Sequence, residues 1–426
     1  MHIVKLRTRI LYIAAIIFLL VISLTRFPKQ AESLIDWQLV DSPWPTHGHD
    51  FQRTSRSPFV GIEDGIHIEW EKSFGHVNSQ SLTVGADGLI YAKSASTYGF
   101  TPQGELLKQG FPGGGCYSTP THLSNNRIYY ARTFSWIGIN NDGESFWEYS
   151  LPYGCFSHTP AITQGGIGYY MLNIPLSSKY IYAFDLAKNE LVWTFGMAGW
   201  TSLALGHDDT LYVTGAYGSL DAVNPNGSLK WRLLEFFDTG LLYRTDVMTI
   251  GDDGNIYTAT FKDANLDGSA DDNKSSIRAL DENGNWLWDF TLDSGLWSCG
   301  FALSDEGILY VTTKSMDWVT EKVKLYALSS NGEFLWSYDI LANQACGGPV
   351  TDNKGNVFVC DKNGYCYGID GEGKFLWDIY VKNESQVFPL IYADKEMFVA
   401  TDEGVAALAE GDPEQFFIFL PSLLNQ

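Results

Sequence analysis

With 426 residues, a formal charge of −22 and 15% aromatic residues, the chain can build a large core and is too acidic to favour a phosphate backbone as partner. Charged residues make up only 18% and glycines number 42, which speaks against helical bundles and for many short strands joined by glycine turns. The length admits two or three domains, or one closed array of repeats.

At the N-terminus, Lys5, Arg7 and Arg9 precede an apolar run of fifteen residues, Ile10 to Leu24. The run is shorter than the roughly 20 residues of a spanning helix and suits the apolar region of an export signal. No small-x-small cleavage site follows in "TRFPKQAES". Residues 1–30 are therefore read as an uncleaved signal anchor forming an apolar helix, with a cleaved signal peptide as the alternative. No cysteine lies close enough for N-terminal lipidation. Both readings export the body, either membrane-anchored and facing the periplasm or cell exterior, or secreted.

Residues 31–61 lead into the first repeat. Within "WPTHGHDFQRTSRSPF", Trp44 to Phe59, His47 and His49 have a His-x-His spacing. No third ligand is identifiable nearby, so the pair is read as covering a blade rather than holding a metal.

A repeat then fills residues 62–410. Five times a glycine is followed four residues later by tryptophan, ending at Trp147, Trp231, Trp288, Trp336 and Trp377. "NELVW" to Trp193 has Asn in the glycine place, the other residue that tolerates positive φ, and "GELLK" ends in Lys108. Upstream of each lies an apolar run such as "IYAFDL", "IRALDE" or "LYALSS", and before that a second run after an Asp/Asn/Gly turn, such as "DGNIYTAT" or "EGILYVTT". Turn residues, alternating apolar strands and a closing Trp describe an antiparallel meander that must stack on its neighbours. A period near 40 with four strands is a propeller blade. Second strands fall at Tyr91, Tyr129, Tyr169, Tyr212, Tyr257, Tyr310, Phe358 and Phe398; fourth strands fall at Trp70, Lys108, Trp147, Trp193, Trp231, Trp288, Trp336 and Trp377. The first fourth strand precedes any full blade and the last second strand has no Trp strand after it. The strand of Trp70 is therefore expected to complete the C-terminal blade, closing an all-β, eight-bladed propeller of four-stranded blades.

This repeat resembles the PQQ-like β-propeller repeat of quinoprotein dehydrogenases and of the outer-membrane assembly lipoprotein of that superfamily. The lead-in "WPTHGHDFQRTSRSPF" is similar to the opening of quinoprotein propellers, and the resemblance spans about residues 44–410. It implies the fold; it leaves the activity open, because such propellers serve enzymes and scaffolds alike. The alcohol-oxidising members carry two adjacent cysteines over the quinone and are longer chains; no Cys-Cys occurs here.

Asp263, Asn265, Asp267 and Asp271 in "DANLDGSADD" stand at positions 1, 3, 5 and 9 of a loop, with Gly268 at the sharp turn and Ser269 offering a carbonyl. Hard oxygens at this spacing suit calcium. Lys274 replaces the EF-hand's final Glu, and the pattern resembles the inter-strand calcium loops of integrin-type propellers. A structural calcium ion is expected there, the alternative being a solvated acidic loop.

Six cysteines permit up to three bridges in an exported chain. Cys116 and Cys155 precede the innermost strands of successive blades, as do Cys299 and Cys346, while Cys360 and Cys366 flank "DKNGY" and could face each other across a hairpin. Buried thiols are the alternative. Tyr117, Phe156, Trp200, Tyr243 and Trp297, with Arg244, lie near the starts of innermost strands, where they would form a collar at one channel mouth or pack between blades.

No catalytic motif with a recognisable spacing occurs. The expected function is an exported, non-catalytic, monomeric propeller that binds a protein or carbohydrate partner and no nucleic acid. The alternatives are a PQQ-dependent sugar or alcohol dehydrogenase, and a polysaccharide-acting enzyme at the channel mouth. Residues 411–426 are an apolar tail of unassigned role.

Overall fold

The computed structural model describes residues 36–75, 82–94, 96–111, 119–173, 179–197, 202–215, 219–233, 242–243, 248–263, 275–293, 296–315, 323–340, 347–361, 363–381, 389–401 and 403–411. The N-terminal residues read as a signal anchor, most of the acidic loop and the C-terminal tail lie outside them. Among the described residues every regular element is a strand, and no helix is long and apolar enough to cross a membrane.

The strands form eight blades. Five are separate four-stranded antiparallel sheets. A sixth blade splits its innermost strand: Leu242–Tyr243 and Met248–Ile250 both pair with Ile256–Asp263. The remaining two are fused in one six-stranded sheet, because Arg127–Asn140 and Ser145–Ile162 each serve twice. Tyr129 pairs inward with Thr121 while Gly138 pairs outward with Trp147; beyond Trp147 the same strand runs on to pair Ala161 with Tyr169 in the next blade. Counting from the strand Thr83–Val84, these are blades 1 to 8, and Ile66–Ser73 pairs with Gly404–Glu410 to complete blade 8. Trp70 lies 5.7 Å from Phe398, ring centre to ring centre, so the ring closes as the repeat count requires.

The repeat motif has a physical cause. Opposite each fourth-strand Trp stands Ala or Gly: Ala183, Ala222, Ala279, Ala327 and Ala407, with Gly138 and Gly368. A bulge at the residue just before the Trp turns its ring over that small residue; a Cβ on Gly368 would sit 2.5 Å from Trp377. The ring then rests on the second-strand aromatic of its own blade, as Trp288 on Tyr257 at 5.9 Å and Trp336 on Tyr310 at 5.8 Å. Its Nε1 donates to a turn carbonyl of the following blade: Trp193 to Pro225, Trp231 to Glu282, Trp288 to Ser330 and Trp336 to Gly371, at 2.8 to 3.0 Å. The turn glycine lies beneath the ring, and its φ near +80° at Gly284 or Gly332 favours glycine. The second-strand Tyr residues are buried to within 2%. Burying each such ring contributes about 1.5–3 kcal/mol. Outer strands such as Leu229–Leu233 remain largely exposed.

At the last junction no turn is available, because the third and fourth strands of blade 8 come from opposite ends of the chain. Trp377 donates instead to the carbonyl of Ile62, just before the closing strand, at 2.6 Å.

Candidate functional site

The innermost strands all end on one face of the disc, and the lead-in segment lies across those ends. It meets the blades in order. Trp44 accepts from the amide of Val84 and Pro45 from His122, while Phe51, Gln52 and Thr54 accept from Leu205, Ile250 and Leu303. Ser57 donates to Thr351 and Val60 accepts from Lys395. Blade 3 is reached by a side chain: Arg53 Nη2 donates to the Thr159 carbonyl at 3.2 Å. The segment therefore covers all eight blades, not the single blade expected for it. The difference arises because main-chain groups, which residue types do not encode, make most of the contacts.

Arg53 is buried and donates to five carbonyls, those of His47, Asp50, Thr159, Pro160 and Leu203. Burial pushes its guanidinium down to about 10, against the pull of Asp50. Burial would raise Asp50, but bonds to His49 and Thr54 prevail and hold it below the usual carboxylate range. His49, Arg53 and Ser55 adopt positive φ of 70°, 63° and 51°, a costly conformation held by these surrounding bonds. His49 packs edge-on against Trp44 at 5.2 Å, and no cluster of three metal-ligating side chains exists among the described residues.

The opposite face of the disc carries the starts of the innermost strands. Tyr243, Phe156 and Trp297 lie on innermost strands, in register with Lys262, Leu172 and Lys314, so three of the collar positions share that end of the disc. Tyr117, Trp200 and Arg244 lie outside the described residues. Asp263 closes the strand Ile256–Asp263 opposite Leu242, so the acidic loop leaves blade 5 on the same face; Asn265, Asp267, Ser269 and Asp271 lie outside the described residues. Cys155 and Cys299 fall within innermost strands rather than before them, because those strands start earlier than the turn spacing implied. Cys116 and Cys346 lie outside the described residues. Cys360 and Cys366 face each other across blade 7, Cα atoms 4.0 Å apart, and are joined by a disulfide.

Two buried ionisable groups on this side escape sequence reasoning. Lys93 ends the second strand of blade 1, where blades 4, 6 and 7 have Thr214, Thr312 and Cys360. Its Nζ donates to the Ala131 carbonyl at 3.0 Å, and burial pushes it down to about 8. Asp361, beside the disulfide, accepts from the Tyr365 amide and the Tyr367 hydroxyl, and burial raises it. A lysine in a position otherwise held by small side chains was the available signal. The two groups belong to blades 1 and 7, with blade 8 between them.

Residues 273–412, about a third of the chain, match the family described as outer membrane protein assembly factor BamB. Among solved structures, a quinohemoprotein alcohol dehydrogenase from Pseudomonas putida HK5 is similar with a TM-score of 0.67 and 13% identity, over 89% of this chain and 82% of that one. A europium-containing methanol dehydrogenase has a TM-score of 0.69 and 12% identity, over 86% of this chain and 98% of that one. BamB from Moraxella catarrhalis has a TM-score of 0.58 and 15% identity, over 81% of this chain and 100% of that one. No curated protein matches. At these identities the likeness is one of fold, and the fold is that of the PQQ-like β-propellers. Because 98% of the methanol dehydrogenase chain is covered, length does not separate this chain from that dehydrogenase.

Proposed function

We propose that this PQQ-like β-propeller is an exported, non-catalytic scaffold that holds a protein or carbohydrate partner. The observation that carries the reading is the sequence-level match of residues 273–412 to an assembly-factor family. The dehydrogenases resemble the chain by shape, at 12% and 13% identity. The absence of an adjacent cysteine pair anywhere in the sequence supports the same choice. A rigid disc suits this task, since its loops and open mouth are presented on a frame that does not yield.

A quinoprotein dehydrogenase is the second reading, favoured by TM-scores of 0.67 and 0.69. The donor set Asp263, Asn265, Asp267, Ser269 and Asp271 fits calcium in its hard oxygens and charge, in a structural role on blade 5. Adding PQQ and calcium to the purified chain separates the readings. The scaffold reading expects no bound quinone spectrum and no dye reduction with alcohols or aldoses; turnover of either would replace it with the dehydrogenase.

A further inference from the structure

The exposed apolar side chains are not scattered. Among the described residues, eleven of the thirteen large ones sit in the two positions before the fourth-strand Trp or its Lys108 counterpart, on the outer edges of blades 1 to 7. Scattered exposed apolar residues are ordinary; a contiguous patch on a free sheet edge marks a contact surface. The patch is best defined on blades 5 and 6. There Trp286, Leu287, Phe334 and Leu335 are exposed by 41%, 48%, 53% and 43%. Phe290 stacks on Phe334 at 6.3 Å, which joins the outer strands Trp286–Thr291 and Phe334–Ile340 into one surface.

Charge identifies what covers it. The exposed Glu282 and Glu333 stand in the turns that open these two strands, and Asp289 and Asp339 follow along them. Neither strand nor its turn contains Lys or Arg, whereas the equivalent segments of the flanking blades carry Lys230 and Arg232, and Lys374. Arg278 lies over Trp286 at 4.7 Å with its charge paired with Asp289 at 2.7 Å, and Lys324 is taken up by Asp293 at 2.7 Å and Asp339 at 3.5 Å, which leaves Glu282 and Glu333 as the carboxylates open to a partner. A second copy of this chain, itself at −22, meets its own sign here, and so does an anionic bilayer.

We infer that the outer edge of blades 5 and 6 is a docking surface for a basic, apolar polypeptide segment of a partner protein. The inference rests on the scaffold reading and deepens it. Apolar side chains of the partner cover the four exposed residues, and its lysines or arginines meet Glu282 and Glu333.

The test uses the full chain and a labelled synthetic peptide alternating Lys and Leu, read by fluorescence anisotropy. Two control peptides replace Lys with Glu, or Leu with Ser. The variants are Glu282→Lys with Glu333→Lys, and Leu287→Ser with Leu335→Ser. The control variant is Val192→Ser on blade 3, a residue 50% exposed. All substituted side chains are exposed, and each variant's melting temperature is checked first. The Lys-Leu peptide is expected to bind more tightly than both controls and more weakly as salt rises. Each double variant should weaken it roughly tenfold or more, the span of an interface hot spot, and Val192→Ser should leave it unchanged. Equal binding of the Glu peptide, equal loss with Val192→Ser, or no loss in the double variants overturns the inference. So does uptake by phosphatidylcholine vesicles without peptide binding. The quinone assay on the same preparations keeps the two conclusions apart. Failed peptide binding without turnover removes the patch and leaves the scaffold; turnover removes the scaffold whatever the peptide does.

Discussion

The junction between blades 6 and 7 and the junction between blades 1 and 2 solve one problem with different chemistry. In the first, Trp336 lies on Tyr310, donates to the Gly371 carbonyl at 2.9 Å and covers Gly373. In the second, Lys108 stands over Tyr91 at 5.7 Å and its Nζ donates to the Asn141 carbonyl at 2.6 Å. What the repeat keeps is therefore a donor aimed at the next blade's turn from above the second-strand Tyr, not the indole itself. The replacement brings charge with it. Lys108 pairs with Asp87 at 2.7 Å, Asp87 also accepts from Tyr91, and the buried His122 lies 4.8 Å from the Tyr91 ring. One junction is apolar and indifferent to pH; the other is polar and sensitive to it.

The closing junction is the extreme case, since the two strands it joins come from opposite ends of the chain. Gly404 pairs with Ser73, and a side chain there would overlap the Lys72 carbonyl oxygen. Gly404→Val is expected to cost more than about 4 kcal/mol, the class of damage reserved for broken packing networks. Urea unfolding should show the whole disc destabilised rather than one blade frayed. Next in size, Trp336→Ala should cost about 3–5 kcal/mol. Lys108→Ala, which removes a partly exposed pair and little buried surface, should cost about 1–2 kcal/mol. Equal costs at the two positions would show that the indole contributes no more than its hydrogen bond, and the comparison would fail.

A further effect depends on pH. Burial pushes His122 down to about 4, with Asp87 opposing and Lys108 reinforcing the shift, while the unfolded side chain titrates near its ordinary 6.5. Between those values the unfolded chain binds the extra proton. Stability is therefore full above pH 6.5 and falls by up to about 3 kcal/mol as pH drops towards 4. Urea midpoints at pH 7 and 4.5 should show the loss, and His122→Gln should flatten it. A wild-type midpoint unchanged between these pH values would place His122 in contact with solvent.

Much of this was legible in the residues. The Gly-to-Trp spacing marks the outer hairpin because its turn glycine lies beneath the preceding blade's Trp while its own Trp faces a small residue across the sheet. The orphan strand of Trp70 gave away the closure, and six residues from Cys360 to Cys366 suit a disulfide across a hairpin. Lys108 registered as a lost Trp, but its substitute role depends on Asp87 and Asn141, which lie distant along the chain. The reach of the lead-in was hidden, because its bonds are made by main-chain groups and by His49, Arg53 and Ser55 in left-handed conformations that their side chains do not announce. The acidic loop and half of the collar lie outside the described residues, so the mouth is known by the register of three strands.

The lead-in and the closing strand also set the timing of assembly. Glu63 donates its amide to the Glu410 carboxylate, a partner 347 residues later in the chain. At ribosomal speeds of 5–20 residues per second, that partner follows roughly 17–70 s behind. Throughout that interval the earliest-made strand has no mate, and the nascent disc is an open fan with a raw edge on each side. A truncated product that lacks Gly404–Glu410 is left with both of those edges unpaired.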